Sequence, residues 1–410
     1  TYMQYLNQTL SILIGDLIRI PFVALSDKYT IRLERSMKSL IGGAKKDWDA
    51  FETSWGFTAL PLLETENRQK TLAQSYAILR QRWVENTLEM QRLEEENNRI
   101  FIEAYGLGEE LTPDVPLSEI TLTCNPHYRY KDTKRKTYTE EELESLLLED
   151  TMKEFLSYAV RCMFGRYSLD KPGLVLANQG EDIEDYLTII ASEAWQSPPL
   201  SVEIASSEEH PPRNNEVSFM PDDDNVIPII GGGWFPDDIA ERFKKFLKIT
   251  FGEENYEENL RFIENALGKD IEQYFVKHFY NDHLKTYKKR PVYWLFSSPK
   301  GSFQALVYLH RYRPDTVSVV LNGYLRPYRK KLASRRSQLE NLSLKGSARE
   351  RTRALKEIGK IDKILLELKD YEDKVLYPLA GKQIAIDLDD GVKANYPKFG
   401  KALKKVVGLS

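Results

Sequence analysis

The residues best suited to meeting a ligand form a basic stretch interleaved with tyrosine. Lys285, Lys288, Lys289 and Arg290 lead into an aromatic run at 291–296, Lys300 sits in the turn that follows, and Arg311 and Arg313 come next. Arg326, Arg329, Lys330, Lys331, Arg335 and Arg336 complete the series, with Tyr287, Tyr308, Tyr312, Tyr324 and Tyr328 between them. Clustered Lys and Arg neutralise phosphates and release counterions, and aromatic rings pack against sugar or base. The expected chemistry is therefore contact with a nucleic-acid backbone, through Lys285, Lys288, Lys289, Arg290, Lys300, Arg311, Arg313, Arg326, Arg329, Lys330, Arg335 and Arg336. The competing reading buries the tyrosines and lays the cationic stems over them. Arg349, Arg351 and Arg353 read equally as a second phosphate-facing patch or a solvated helix face.

Other motifs carry less chemistry. Asn125-Pro126-His127-Tyr128 resembles the Asn-Pro-Pro-Tyr loop with which amino-methyltransferases hold a flipped-out base, but His replaces the second Pro and no glycine-rich cofactor loop precedes it. A structural turn is expected there. Gly231-Gly232-Gly233 lacks the Gly-Lys-Ser/Thr of a phosphate-binding P-loop and reads as a turn. His278 and His283, five apart, do not share one helical face as zinc ligands would, and Asp222-Asp223-Asp224 reads as a loop or N-cap. No metal site is expected, and Cys162 reads as a buried thiol.

The composition of the 410 residues fits this picture. Hydrophobic residues at 41% and aromatics at 11% support buried cores, and two cysteines exclude a disulfide framework or a four-cysteine zinc site. A reducing cytoplasm is the expected compartment. No apolar run approaches the ~20 residues of a membrane helix, so no membrane partner is expected. The opening Thr1-Tyr2-Met3 has no signal-peptide character; it reads as a tag remnant or as a cut from something larger. The net charge of −4 hides an asymmetry: residues 285–360 hold 19 Lys and Arg against 4 Asp and Glu, a net of +15, while 1–284 carry −20. A polyanion is the first candidate partner of such a block.

The elements that must position these residues are mostly helical. Residues 7–23 read as two short strands around Gly15-Asp16, followed by a helix from Ser26 or Asp27 to Ile41 before Gly42-Gly43. Trp48, Phe51 and Trp55 are spaced as one helical, core-facing side. Residues 64–105 read as a long helix ended by Gly106 and Gly108, and Thr139 to Glu142 as a capping box opening another. Short strands are expected at 226–230 and 291–296 with a return near 303–310, helices at 237–247 and 256–279, and long helices over 317–374 broken near Gly346. The fold class is α+β, predominantly helical, with long spacer helices and small mixed β segments. The linear segments are 1–63 (the end of a target-recognition-like β segment), 64–180 (helical arm), 181–284 (acidic loops and helices) and 285–410 (the basic region).

Several strings together resemble one family. They are Leu6-Asn7-Gln8-Thr9-Leu10 with Gly15-Asp16-Leu17-Ile18-Arg19-Ile20-Pro21; Lys46-Asp47-Trp48-Asp49-Ala50-Phe51-Glu52-Thr53-Ser54-Trp55; Arg290 to Gly301; His310 to Thr316; and Ile386 to Val392. They are similar to the C-terminal half of the adenine-specific DNA methyltransferases of BREX phage-defence systems, the PglX family. The first string also resembles the close of a target-recognition domain in related restriction-modification proteins. The resemblance implies a parent enzyme that transfers a methyl group from S-adenosylmethionine to adenine N6, marking host DNA. It implies that the cofactor loop and the catalytic loop lie upstream of Thr1, so this chain has no catalytic or cofactor-binding residue of its own. Its part is then to recognise or position double-stranded DNA, with other subunits of the defence system as further partners. The alternative is a helical scaffold for those subunits or for acidic DNA-mimic proteins.

Overall fold

The computed structural model describes residues 23–131, 138–193 and 217–409. The expected hairpin at 7–23 lies outside them, apart from residue 23. The chain forms two compact units, one of Thr1–Phe51 with Leu79–Glu144, the other of Glu52–Ile78 with Ser145–Ser410. These units do not follow the four linear segments.

In the first unit, α1 (Asp27–Asp49) and the part of α2 (Leu72–Tyr105) from Leu79 onward bury Leu40, Met90, Leu93, Val115, Ile120, Leu122 and Cys124. Gly42 and Gly43 do not end α1, as the sequence suggested. A Cβ on Gly43 would stand 3.0 Å from the Met90 sulfur, so the glycine lets the two helices approach. The Asp47 carboxylate accepts the backbone N–H groups of Thr123 and Cys124 at 2.7 and 3.0 Å and holds the loop after α2 onto α1. Because α1 stops at Asp49, Trp48, Phe51 and Trp55 do not share a helical face, and Trp48 and Trp55 are exposed rather than core. The chain also enters α2 later than Glu64. A turn at Pro61–Leu63 precedes it, and Thr71 with Gln74 makes reciprocal side-chain to backbone bonds at the helix start.

The second unit holds most of α3 (Glu140–Met163), α4 (Ile183–Glu193), α5 (Ile239–Phe251) and α6 (Tyr256–Leu267). Thr139 and Glu142 form the expected capping box at the start of α3. The helix expected over 256–279 breaks at Gly268, which is left-handed. The chain resumes as Ile271–Tyr274, a π turn at Phe275–Phe279, and α7 (Tyr280–Thr286). Further on, α8 (Arg326–Lys345) and α9 (Ala348–Tyr371) pack together across the break at Gly346, where Ser347 and Glu350 form another capping box.

At the centre lies an antiparallel sheet of β1 (Val226–Pro228), β2 (Tyr293–Ser297) and β3 (Gln304–Tyr308), in the order β1-β3-β2. Tyr293 stands opposite Tyr308 and Trp294 opposite Val307. Every residue of the three strands is buried, so the unbroken apolar run of β2 reflects cover on both faces. On one face, Tyr293 stacks on Phe164, just past α3. On the other, Trp294 and Phe296 pack on Phe399. The architecture is the α+β, mostly helical arrangement expected.

Candidate nucleic-acid interface

The structure separates the basic residues into three groups. The first is spent on the protein's own carboxylates. Arg326 bonds Glu372 at 2.7 Å and Arg329 bonds the same carboxylate. Arg335 pairs with Glu357 at 3.0 Å, Arg336 with Asp362 at 2.5 Å, Arg313 with Asp182 at 2.6 Å and Lys285 with Asp282 at 3.0 Å. The second group is Arg311 alone. It is 5% exposed, and its guanidinium donates to the carbonyls of Asp222 at 2.7 Å and Asp223 at 3.1 Å. Its expected place on a DNA-facing surface is corrected: it staples the 222–224 loop under the sheet. The third group, Lys288, Lys289, Arg290, Lys300 and Lys330, is exposed and makes no ion pair with a carboxylate among the described residues.

These five do not form one surface. Lys288 to Arg290 enter β2 and Lys300 leaves it, so the five-residue strand separates them by about 17 Å. Lys330 lies on α8. The backbone N–H of Lys300 donates to Glu367 at 2.7 Å, which partly offsets its charge. The tyrosines are structural. Tyr308, Tyr312, Tyr324 and Tyr328 are buried. The Tyr308 hydroxyl donates to the Leu176 carbonyl, Tyr312 to Ile384, and Tyr324 to Asp224 and Asp237. Burial raises the phenol of Tyr328 to about 12.

The loop before β2 is the unusual feature. Lys288 and Lys289 both have positive φ, 49° and 62°, a left-handed conformation that costs an ordinary residue about 1–2 kcal/mol. Its support is internal. The Tyr287 hydroxyl donates to Glu52, whose carboxylate also takes Arg161 at 2.5 Å and Arg166 at 2.9 Å. The three charged side chains are 2%, 6% and 13% exposed. Burial works against the charge on Arg161 and Glu52 outweighs it, so the guanidinium stays ionised. Arg161 closes α3, and Gly165 (φ 76°) turns the chain so that Arg166 reaches the same carboxylate. His283, enclosed beside them, accepts the Tyr293 N–H at 3.3 Å. Burial, with the two arginines adding to it, lowers its pKa to about 3, so it is neutral.

The remaining motifs are structural. Asn125 is fully buried. Its amide donates to Leu117 and Ile120 carbonyls at 2.7 and 2.9 Å and accepts the His127 N–H, so it has no donor left for a base. The segment does not fit an adenine or an adenosyl cofactor. Asp222 and Asp224 both accept the Val226 N–H, and burial raises Asp222 to about 7. Among the described residues, no cluster of His, Cys, Asp and Glu could hold a metal, and no helix is long and apolar enough to cross a membrane.

Sequence comparison bears on what these cations meet. No family model matches the chain. It is 33% identical over 417 residues to the adenine-specific methyltransferase BrxX of Escherichia coli O9:H4 (strain HS), a match that takes in 98% of this chain. This chain resembles part of an adenine-specific methyltransferase. The methyltransferase PglX of Lacticaseibacillus casei (strain Zhang) is 32% identical over 416 residues and 97% of the chain. The match covers 31% of BrxX and 30% of PglX, so the chain spans about a third of the length of these relatives. The strings that suggested the BREX methyltransferases thus belong to a likeness extending over nearly every residue.

Proposed function

We propose that this chain is a noncatalytic part of a BREX-type adenine-N6 DNA methyltransferase, corresponding to its C-terminal half, and that it positions double-stranded DNA. In this reading S-adenosylmethionine and the methyl transfer belong to the remainder of a full-length protein, working in the cytoplasm against phage. The observation that carries the reading is the loop Lys288-Lys289-Arg290: three exposed cations without carboxylate partners, two of them in strained backbone. Strain of this kind persists where the surroundings enforce it, and it gathers at functional sites.

The test is duplex binding by fluorescence anisotropy across a salt series. Lys288→Glu, Lys289→Glu and Arg290→Glu together should weaken binding on all sequences alike, since phosphate contacts carry no sequence information. With five cations lacking an ion pair, log K should fall with log salt no more steeply than about −4.5, at about −0.9 per phosphate. Unchanged affinity in the triple variant overturns the reading. A second reading, a helical scaffold for defence subunits or acidic DNA mimics, is favoured by the arginines of α8 already being matched to carboxylates. Subunit capture by a chain that ignores duplex DNA would support it.

A further inference from the structure

Beside α8 lies a notch of about 450 Å³, lined by Gly233, Trp234, Lys330, Lys331, Ser334, Arg335 and Gln338. We propose that it binds one nucleotide of an unpaired nucleic-acid strand, with the base or sugar against Trp234 and the phosphate on Lys330 and Arg335. This site is separate from the loop before β2 and does not rest on the duplex reading.

The lining selects this chemistry. It contains three cations, one hydroxyl, one amide and one indole, and no carboxylate. The nearest opposing charge is Glu357, paired with Arg335 through Nε. Lys330, Ser334 and Gln338 follow one another at four-residue steps, and Lys331 and Arg335 flank them, so all five present to one helical face. Such a surface attracts an anion rich in acceptor oxygens. The indole adds a planar apolar wall, which phosphate alone does not need. Base–aromatic stacking requires a base free of its duplex neighbours, hence the unpaired strand. The volume lies within the ~300–1,000 Å³ of ligand pockets.

The notch is also built. Gly232 and Gly233 have φ of 102° and 63°. A Cβ on Gly232 would stand 3.1 Å from the Trp234 indole nitrogen, so the glycine lets the ring fold back over its own loop. The opposite edge of the loop is clamped to α8: Lys331 Nζ donates to the Trp234 carbonyl and lies 4.2 Å from the Phe235 ring centroid. Trp234 meets Tyr328 edge-on at 5.5 Å. Lys330 is left as the exposed cation without a carboxylate partner.

The test uses the 410-residue chain with fluorescein-labelled 12-residue oligothymidylate, and the matching duplex as a second probe. Trp234→Ala and Lys330→Glu should each weaken oligothymidylate binding about tenfold, and Trp234→Phe should retain most of it. Trp234→Ala should leave duplex affinity within twofold of the parent. Lys330→Glu alters only an exposed side chain, so its result stands even if Trp234→Ala disturbs the loop. Absence of oligothymidylate binding, or full affinity in Lys330→Glu, overturns the proposal. So does displacement of the probe by polyglutamate that depends on Lys330 but not on Trp234, since that marks an acidic protein as the ligand. Loss of duplex binding in the Lys288–Lys289–Arg290 variant with oligothymidylate binding intact supports two independent sites.

Discussion

The Tyr287 hydroxyl donates to the carboxylate of Glu52, 235 residues away in sequence, and the next two residues are the lysines held in left-handed backbone. The strained loop is thus tied at its first residue to the most buried charge cluster described in the protein. That cluster holds one carboxylate against two guanidinium groups, so Glu52 is the group on which the arrangement depends.

Replacing Glu52 with Gln leaves Arg161 and Arg166 buried without a counter-charge. Removing one partner of a buried ion pair costs about 3–5 kcal/mol, and a loss in this range is expected in urea-unfolding free energy. A loss below about 1 kcal/mol would show that water reaches the arginines.

Exchanging Lys288 and Lys289 for Gly separates the backbone of the loop from its charge. Glycine adopts positive φ freely, so relief of strain should offset the added unfolded-state entropy, raising stability by up to about 1 kcal/mol. Duplex affinity should fall as two cations are removed. A variant that is both more stable and equally tight on DNA would mean that the lysines serve neither purpose.

Gly165 should tolerate no side chain. Its φ is 76°, and a Cβ there would lie 2.9 Å from Leu176 Cδ1 and 3.2 Å from both Pro221 and Tyr186. Overpacking costs about 1–3 kcal/mol and left-handed backbone about 1–2 more. Gly165→Ala is therefore expected to lose about 2–4 kcal/mol, read from the urea midpoint and slope.

His283 gives the fold an acid limb. Its pKa is about 3 in the folded chain against 6.5 as the ordinary value, so below pH 6.5 the unfolded chain binds a proton that the folded one refuses. The stability from its neutral form is fully present above pH 6.5 and is lost as pH falls toward 3. At pH 5 the loss is about 2 kcal/mol, at 1.36 kcal/mol per pH unit. His310, lowered to about 4 chiefly by burial, adds in the same direction. Unfolding measured at pH 7.5 and pH 5 should show a smaller drop for His283→Gln than for the parent. Equal drops would remove His283 from the acid limb.

Local signals in the chain were legible. The apolar run of β2, the capping boxes at Thr139 and Ser347, the break at Gly346 and the turn at Asn125 all depend on neighbours within a few residues. The fate of the cations was not legible, because charge is a property of a stretch and pairing is a property of the fold. A count over 285–360 omits Asp182, Asp362 and Glu372, which lie outside that window and take four of its arginines. The spacing of Trp48, Phe51 and Trp55 misled for a related reason: helical period continues on paper past the point where α1 ends. Gly43 reads as a stop signal unless the sulfur of Met90 facing it is known.

The rungs between α8 and α9 carry one more implication. Arg335 and Arg336 already hold Glu357 and Asp362 as ligands. A nucleic acid arriving there would have to evict a tethered carboxylate rather than shed mobile sodium ions, and the evicted groups would stay nearby to compete for rebinding. Contact along this hairpin would be an anion exchange, reversible and quick to let go, suited to a protein that must move along a polymer rather than park on it.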